Sequence, residues 1–325
     1  MRVPSLTIAL FVFLAGCSAK DAASSAPPAG SAKPITKPTI WQTPSASIDP
    51  TALPLRNQAY VTDAPKKGVV FVCDPKAFQQ LNGPGGKAVG PWVNEAAGTW
   101  DATTKVFVGG NVTWSDARFA IALTSDQRVI TGDGRPFGVP SGTFPVAASD
   151  AAFAFDPNPN AITEQAISFA ITRAPTLAAS PACTYKEIGI TLDGVPLHGP
   201  LDSSGRDELA YQVQDVCSGG PQPGGGYHRH ALSECSPHIH EPLALIGYAL
   251  DGFGIFSPYD ASGKELTTDD LDECHGTTSE IAWEGQTVAM YHYVLTRDFP
   301  YTVTCFRGKP TRNAFPPLPG APPQK

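Results

Sequence analysis

The sequence lacks the short motifs by which several enzyme classes are recognised. It contains no GxSxG nucleophile elbow, no HExxH zinc-protease motif and no cysteine pair in CxxC spacing. These absences disfavour a serine hydrolase, a zinc protease, a zinc ribbon and a thioredoxin-like redox protein. The chain also has no run of basic residues and carries a net charge of −7, so we expect no nucleic-acid partner.

Long stretches of helical periodicity are scarce as well. The chain has 33 prolines and 31 glycines, which are unfavourable inside helices, and only AFQQL (77–81) predicts a turn or two of helix. Five apolar, roughly alternating segments are instead typical of strands: GVVFVC (68–73), KVFVGG (105–110), RFAIALT (118–124), AISFAITR (166–173) and KEIGITL (186–192). The sequence therefore predicts a mostly β fold.

The first residues predict export and a lipid anchor. Arg2 precedes a short apolar run, and LAGC (14–17) matches the lipoprotein box, so residues 1–16 read as a signal peptide that is removed before an acylated Cys17. Ser18 carries no acidic retention signal, which favours the outer membrane of a bacterial envelope. Residues 17–48 are rich in Ala, Ser and Pro and predict a tether, and residues 311–325 predict a Pro-rich tail.

Two stretches of the C-terminal half resemble each other. LDGVPLHGPLDSSG begins at residue 192 and LDGFGIFSPYDASG at residue 250, each followed by a cysteine and then by Tyr-His. Ordered matches of this kind indicate an internal duplication. We expect residues 181–310 to form a duplicated β module about a pseudo-twofold axis, after an N-terminal β part at residues 49–180. The two Tyr-His strands should then lie near each other.

Six cysteines remain when Cys17 is set aside, an even number that indicates disulfides in an exported protein. One later cysteine closes each copy of the repeat, so equivalent bridges Cys217–Cys235 and Cys274–Cys305 are predicted. Elimination then pairs Cys73 with Cys183. A disulfide-stapled module follows, in which no free thiolate remains as a nucleophile or metal ligand.

Several motifs together resemble the YHYH-domain family of exported bacterial proteins. They are GNVTWSDA (110–117), GTFP (142–145), DPNPN (156–160), GVPL (194–197), GYHRH (226–230), LIGYALDGFGIF (245–256), DLDECHG (270–276), YHYV (291–294) and FPYTVTCFRG (299–308). The likeness covers about residues 105–310 and implies a fold unit and an extracytoplasmic location, without a particular reaction. The chain departs from the family string at Arg229 and Val294, where Tyr and His are expected.

The clustered histidines are the candidate metal ligands. His228 and His230 point to the same face of a strand, as His238 and His240 would. His292 would join them if the repeat places its strand alongside, and His275 sits next to Cys274. Imidazole-rich exported sites suit copper or zinc. Carboxylates that can orient such ligands are Asp272, Glu273, Glu234 and Glu241.

Three alternatives stay open beside a metal site. The histidines can be structural, each bonded within a β module. A hydrolase would use His292 or His228 as general base, oriented by Asp251 or Asp272. A glycan- or protein-binding surface would use aromatic side chains, here Trp92, Trp100, Trp114, Trp283, Tyr227, Tyr291, Tyr293 and Tyr301. The residues favour a non-catalytic envelope binding protein, for which copper or zinc at the clustered histidines is one hypothesis, and they leave enzymatic activity open.

Overall fold

A computed structural model gives the structure of residues 38–75, 89–312 and 314. The predicted signal peptide, Cys17, the segment AFQQL (77–81) and nearly all of the Pro-rich tail lie outside the described residues. Within the described ranges, no helix is both long and apolar enough to cross a membrane.

The last residues of the predicted tether belong to the folded domain. Thr39–Trp41 form a 3-10 helix, and Ile40, Trp41 and Ile48 are buried in the core. The Trp41 indole N–H donates to the hydroxyl of Ser218 at 3.0 Å. Apolar side chains in an otherwise polar stretch thus anchor residues 38–48, which composition averaged over the whole tether does not reveal.

The described residues of the first part of the chain form three small sheets. β1 (Leu53–Pro54), β4 (Val93–Asn94) and β5 (Thr99–Trp100) make one, β2 (Tyr60–Val61) and β3 (Val70–Phe71) make a parallel pair, and β6 (Phe119–Leu123), β7 (Gln127–Gly132) and β8 (Ile167–Thr172) make an antiparallel sheet. Predicted segment KVFVGG forms only an isolated bridge between Val108 and Asp215. Gly110 ends its extended run with φ 117°, a value that favours glycine.

One eight-stranded sheet carries the second part. Its strands are β9 (Glu187–Thr191), β10 (Pro196–His198), β11 (Gly219–Pro221), β12 (Tyr227–Arg229), β13 (Leu245–Ala249), β14 (Gly254–Phe256), β15 (Gly276–Trp283) and β16 (Gln286–Val294). The described helices beside it are short: α1 (Glu208–Tyr211) and a 3-10 turn at Thr268–Asp270. The protein is mostly β, as the sequence predicts.

The strand order of this sheet is equivalent in its two halves. The order is β11-β12-β10-β9-β13-β14-β16-β15, so each half reads the same outwards from the central β9–β13 pair. β10 and β12 are parallel, as are β14 and β16, and the other neighbours in each half are antiparallel. This equivalence supports the duplication that the sequence repeat predicts.

The expectation that the two Tyr-His strands lie near each other is wrong. They are β12 and β16, and four strands separate them in the sheet. At about 4.8 Å per strand spacing, the two strands are roughly 24 Å apart. The equivalent halves meet at β9 and β13, so β12 and β16 lie near opposite edges of the sheet.

Three disulfides staple the fold. They join Cys73 to Cys183, Cys217 to Cys235, and Cys274 to Cys305, which are the predicted pairs. The first links the two predicted parts of the chain, and the other two lie at equivalent places in the halves of the large sheet. The main hydrophobic core also draws on both parts, from Ile40 to Ala314.

Candidate metal centre

Three histidines converge on one face of the large sheet. His198 ends β10, His228 is the middle residue of β12 and His230 follows that strand. β10 and β12 are parallel neighbours in which Leu197 pairs with Arg229. Since side chains alternate along a strand, the residues that flank this pair project together to the opposite face.

The three imidazole rings are in direct contact. Their centroids lie 4.2 Å apart for His198 and His228, 5.4 Å for His198 and His230, and 5.0 Å for His228 and His230. One nitrogen from each ring lies within 4.8 Å of the other two. A tetrahedral ion with metal–nitrogen distances of about 2.0–2.1 Å holds such nitrogens roughly 3.4 Å apart, so the three nitrogens would have to approach one another by about 1.4 Å at most to bind one ion.

Two of the rings are held in one tautomer. Nδ1 of His228 donates to the carbonyl of Gly226 at 3.1 Å, and Nδ1 of His230 donates to the carbonyl of Gly199. The protons on Nδ1 leave the lone pairs on Nε2, and no described residue hydrogen-bonds to either Nε2. Metal-binding histidines in proteins use this arrangement, because a bond at one nitrogen orients the other as ligand.

The third ring has an unpartnered nitrogen. His198 is only 2% exposed, and its buried Nδ1 has no hydrogen-bond partner in the described part of the chain. A buried polar atom without a partner costs roughly 1–3 kcal/mol. A bound cation beside the three rings would remove that cost, so the residues present fit a metal ion.

The electrostatic environment keeps the rings of His198 and His228 neutral. Burial, followed by the charges of His228, Lys186 and His230, holds the pKa of His198 well below its ordinary value. Burial, followed by His230 and Lys186, does the same to the pKa of His228. Neutral imidazole is the form that binds metals, so both rings are available as ligands at neutral pH.

The second half of the sheet keeps the scaffold without the ligands. At the places of His198 and His230 it has Phe256 and Val294, and only His292 remains, with Nδ1 donating to the Met290 carbonyl at 3.1 Å. His292 is buried, its Nε2 has no described partner, and burial lowers its pKa. The structure therefore does not bring His292 to the three-histidine cluster.

His275 has its own partner away from the cluster. It is buried, and its Nε2 lies 2.9 Å from the hydroxyl oxygen of Thr296. Burial, with a smaller effect from Lys67, lowers its pKa to about 3. The hydrogen bond to Thr296 therefore gives His275 a structural role within the second half.

The remaining two predicted ligands lie on an exposed turn. His238 pairs with Glu241 at 2.8 Å and His240 with Glu234 at 3.1 Å, and each imidazole is 54% exposed. The turn places His238 at φ 64°, so the alternation of a strand does not apply there. Neither histidine joins the cluster formed by β10 and β12.

Aspartates bind the first tyrosine of each Tyr-His strand, although Asp272 was expected to orient a histidine. Asp272 accepts from the Tyr291 hydroxyl at 3.1 Å, and Asp215 accepts from Tyr227 at 2.8 Å at the equivalent place. Glu273 pairs with Arg307 at 2.9 Å. Asp215 and Asp272 hold the first tyrosine of each Tyr-His strand, and backbone carbonyls hold His228, His230 and His292. The expected carboxylates Glu234 and Glu241 do contact imidazoles, those of His240 and His238.

The residue at the third position of each Tyr-His string contacts an aspartate in the same copy of the repeat. Arg229 makes a buried ion pair with Asp193 at 2.7 Å. Tyr293, at the equivalent place, donates to Asp251 at 2.6 Å. Both aspartates start the tight DG turn of their copy, so Arg229 does in the first copy what tyrosine does in the second. Asp251 is thereby committed to Tyr293 and orients no histidine.

The aromatic residues proposed as a binding surface are mostly core. Of the eight, only Trp114 is partly exposed, and the others are at most 8% exposed. Their rings pack in the interior, where large apolar area is most stabilising. They do not form an exposed platform for glycan or peptide.

Sequence reasoning missed His198 as a ligand. It lies 30 residues before His228, and only the parallel pairing of β10 with β12 brings the two together. The repeat contained one signal, because His198 aligns with an apolar Phe256 at a constant offset. A histidine that replaces a buried phenylalanine needs a polar partner, which the neighbouring strand then has to supply.

Fold and site together define a disulfide-stapled β protein with a largely buried three-histidine cluster. Residues 168–269 match the model of a protein family described as YHYH protein. This segment contains β9 to β14 and all three clustered histidines, so the chain carries a YHYH domain there. The search of the curated proteins found no significant match, and neither did the search of the solved structures.

Proposed function

We propose that the YHYH domain binds a transition metal ion, copper or zinc, through His198, His228 and His230. The observation that carries the proposal is the buried, unpartnered Nδ1 of His198 beside two imidazoles whose Nε2 atoms are free. Three imidazoles without a thiolate suit Cu(II) or Zn(II), and the six cysteines described are all bridged.

The proposed role is binding rather than hydrolysis. Among the described residues, none of the three imidazoles is hydrogen-bonded to a carboxylate, the arrangement that orients a histidine base in hydrolases. The candidate base His292 bonds to a backbone carbonyl. The carboxylates of Asp251 and Asp272 bond to tyrosines.

We further propose that the domain is displayed on the bacterial envelope, by a lipid on Cys17 in the outer membrane. The support is the lipoprotein box and the Ala/Ser/Pro-rich stretch before residue 38. A Cys17→Ala variant should lose incorporation of labelled palmitate and leave the membrane fraction. A variant that still labels and still sediments with the outer membrane would contradict the anchor.

Elemental analysis tests the metal. The chain from Ser18 onward is exported to the periplasm behind a cleavable signal peptide, purified without a His tag, and titrated with Cu(II) and Zn(II). We expect one ion per chain. The variants His198→Phe and His230→Val copy the residues of the second half, and each should lose the ion while keeping the fold.

The exposed His240 supplies the control. A His240→Gln variant removes one of the four histidines between residues 227 and 240 but none of the three proposed ligands, so it should keep one ion per chain. A wild-type protein that contains no metal and takes up none, or His198→Phe and His230→Val variants that bind normally, would refute the proposal.

A further inference from the structure

Lys186 and Gln222 form a contact at the edge of the three-histidine cluster. The Lys186 ammonium group donates to the side-chain oxygen of Gln222. The Lys186 carbonyl accepts from the Gly199 N–H at 2.9 Å, and the Gly199 carbonyl in turn accepts from Nδ1 of His230. Gly199 thus links the backbone of Lys186 to the candidate ligand His230 through two hydrogen bonds.

Gln222 is linked to His228 through Gly226, as Lys186 is linked to His230 through Gly199. Its N–H donates to the Gly226 carbonyl at 3.1 Å, and that carbonyl also accepts from Nδ1 of His228. The side-chain contact between Lys186 and Gln222 therefore bridges the two backbone segments that orient His228 and His230. The ammonium group is fixed beside the cluster.

This ammonium group has no carboxylate partner within ion-pair distance in the described ranges, although Glu187 is its neighbour in the chain. Lys186 is partly buried, and its hydrogen-bond partner is a neutral amide. Burial lowers its own pKa to about 8, and its charge contributes to the lowered pKa values of His198 and His228. Glu187 opposes the lowering of the Lys186 pKa by its charge but makes no direct ion pair with the ammonium group, and a partly buried cation without a direct ion pair is costly.

A metal ion at the cluster would increase this imbalance. Three neutral imidazoles leave the charge of a divalent ion uncompensated, and a three-histidine set leaves a coordination position open. An anion placed between the ion and the ammonium group would satisfy both charges and fill the open position.

We infer that the centre takes a small anion, a carboxylate or inorganic anion, as its exogenous ligand, held jointly by the metal and Lys186. The inference rests on the proposed metal site. Lys186 contacts the anion directly and is not a metal ligand. Gln222 holds its ammonium group in place.

Anion titration of the Cu(II)-loaded chain tests the inference. Azide and acetate are added while the absorption and electron paramagnetic resonance spectra of the copper are recorded. We expect saturable binding to the wild type. Lys186→Met should keep one copper per chain and weaken azide binding by about tenfold or more.

Two variants sharpen the result. Lys186→Arg keeps the positive charge and should retain most of the azide affinity. Gln222→Glu adds an internal counter-ion at the same position, so it should weaken azide binding without loss of copper. Acetate and azide should compete for the same position if one site holds both.

The outcomes separate the inference from the proposal beneath it. Copper bound at one per chain with equal azide affinity in wild type and Lys186→Met would overturn the anion inference alone. Loss of copper from a Lys186→Met variant that keeps its fold would show that Lys186 acts on the metal itself, and it would overturn the inference too. A wild-type chain that binds no metal would refute the proposed function and with it the inference.

Discussion

The imidazole rings of His198 and His228 are stacked, with centroids 4.2 Å apart and an angle of 26° between the ring planes. At the equivalent place in the second half, Phe256 and His292 have centroids 4.9 Å apart. The two halves therefore pack an aromatic ring against equivalent histidines, His228 and His292, stacked in the first half and edge-on in the second. The candidate site exists only in the first half because His198 and His230 provide imidazole nitrogens there, whereas Phe256 and Val294 stand at the equivalent places in the second half.

This equivalence predicts that a second site can be installed. The double variant Phe256→His and Val294→His would place two imidazoles beside His292, on the same strand scaffold that holds His198 and His230. Elemental analysis should then give two ions per chain instead of one.

The control adds His292→Phe to that double variant and should return the stoichiometry to one. A double variant that folds, as judged by circular dichroism and a cooperative melt, yet still holds a single ion would show that the halves are not equivalent at this face.

A second prediction concerns the buried ion pair of Arg229 with Asp193. Arg229→Met leaves Asp193 buried without its charge partner and should lower the free energy of unfolding by about 3–5 kcal/mol. Arg229→Tyr copies Tyr293, whose hydroxyl donates to Asp251, and should cost less. Urea denaturation of both variants measures the difference, and an equal or greater loss in the tyrosine variant would contradict the shared role.

A third prediction follows from the buried carboxyl of Asp207, which accepts from the Tyr301 hydroxyl at 2.9 Å. Burial raises its pKa to about 7 from an ordinary value of 3.8. The folded protein therefore keeps a proton that the unfolded chain releases, so this contribution to stability is full below about pH 4 and lost as the pH rises to about 7.

Asp207→Asn removes the titration, so the fall in the free energy of unfolding between pH 4 and pH 7 should become smaller than in the wild type. Urea denaturation at several pH values within that window measures it. Parallel curves for the two proteins would show that Asp207 does not carry this pH dependence.

A fourth prediction ranks the disulfides. Cys217–Cys235 spans 18 residues and Cys73–Cys183 spans 110. Loop-closure entropy of the unfolded chain assigns about 3 kcal/mol to the shorter loop and about 5 kcal/mol to the longer one. Replacing both cysteines of a bridge by serine should therefore destabilise more at Cys73–Cys183. A reversed order in urea denaturation would point to strain or residual structure instead.

Much of the fold was predictable because its signals are local or repeated. Alternating segments such as AISFAITR and KEIGITL formed β8 and β9, since period-two patterns follow from strand geometry itself. The offset between Asp193 and Asp251 revealed the repeat, and the repeat then predicted the disulfides. In the candidate site, the i and i+2 spacing placed His228 and His230 together.

The sequence by itself determined the β class, the cysteine pairing and the common face of His228 and His230, because each depends on residue spacing along one strand or on a repeated order. Only the tertiary structure decided that His198 completes the cluster and that His292 lies four strands away. Those facts depend on which strands pair across the sheet, and strand order is set by packing of the whole domain rather than by any local pattern.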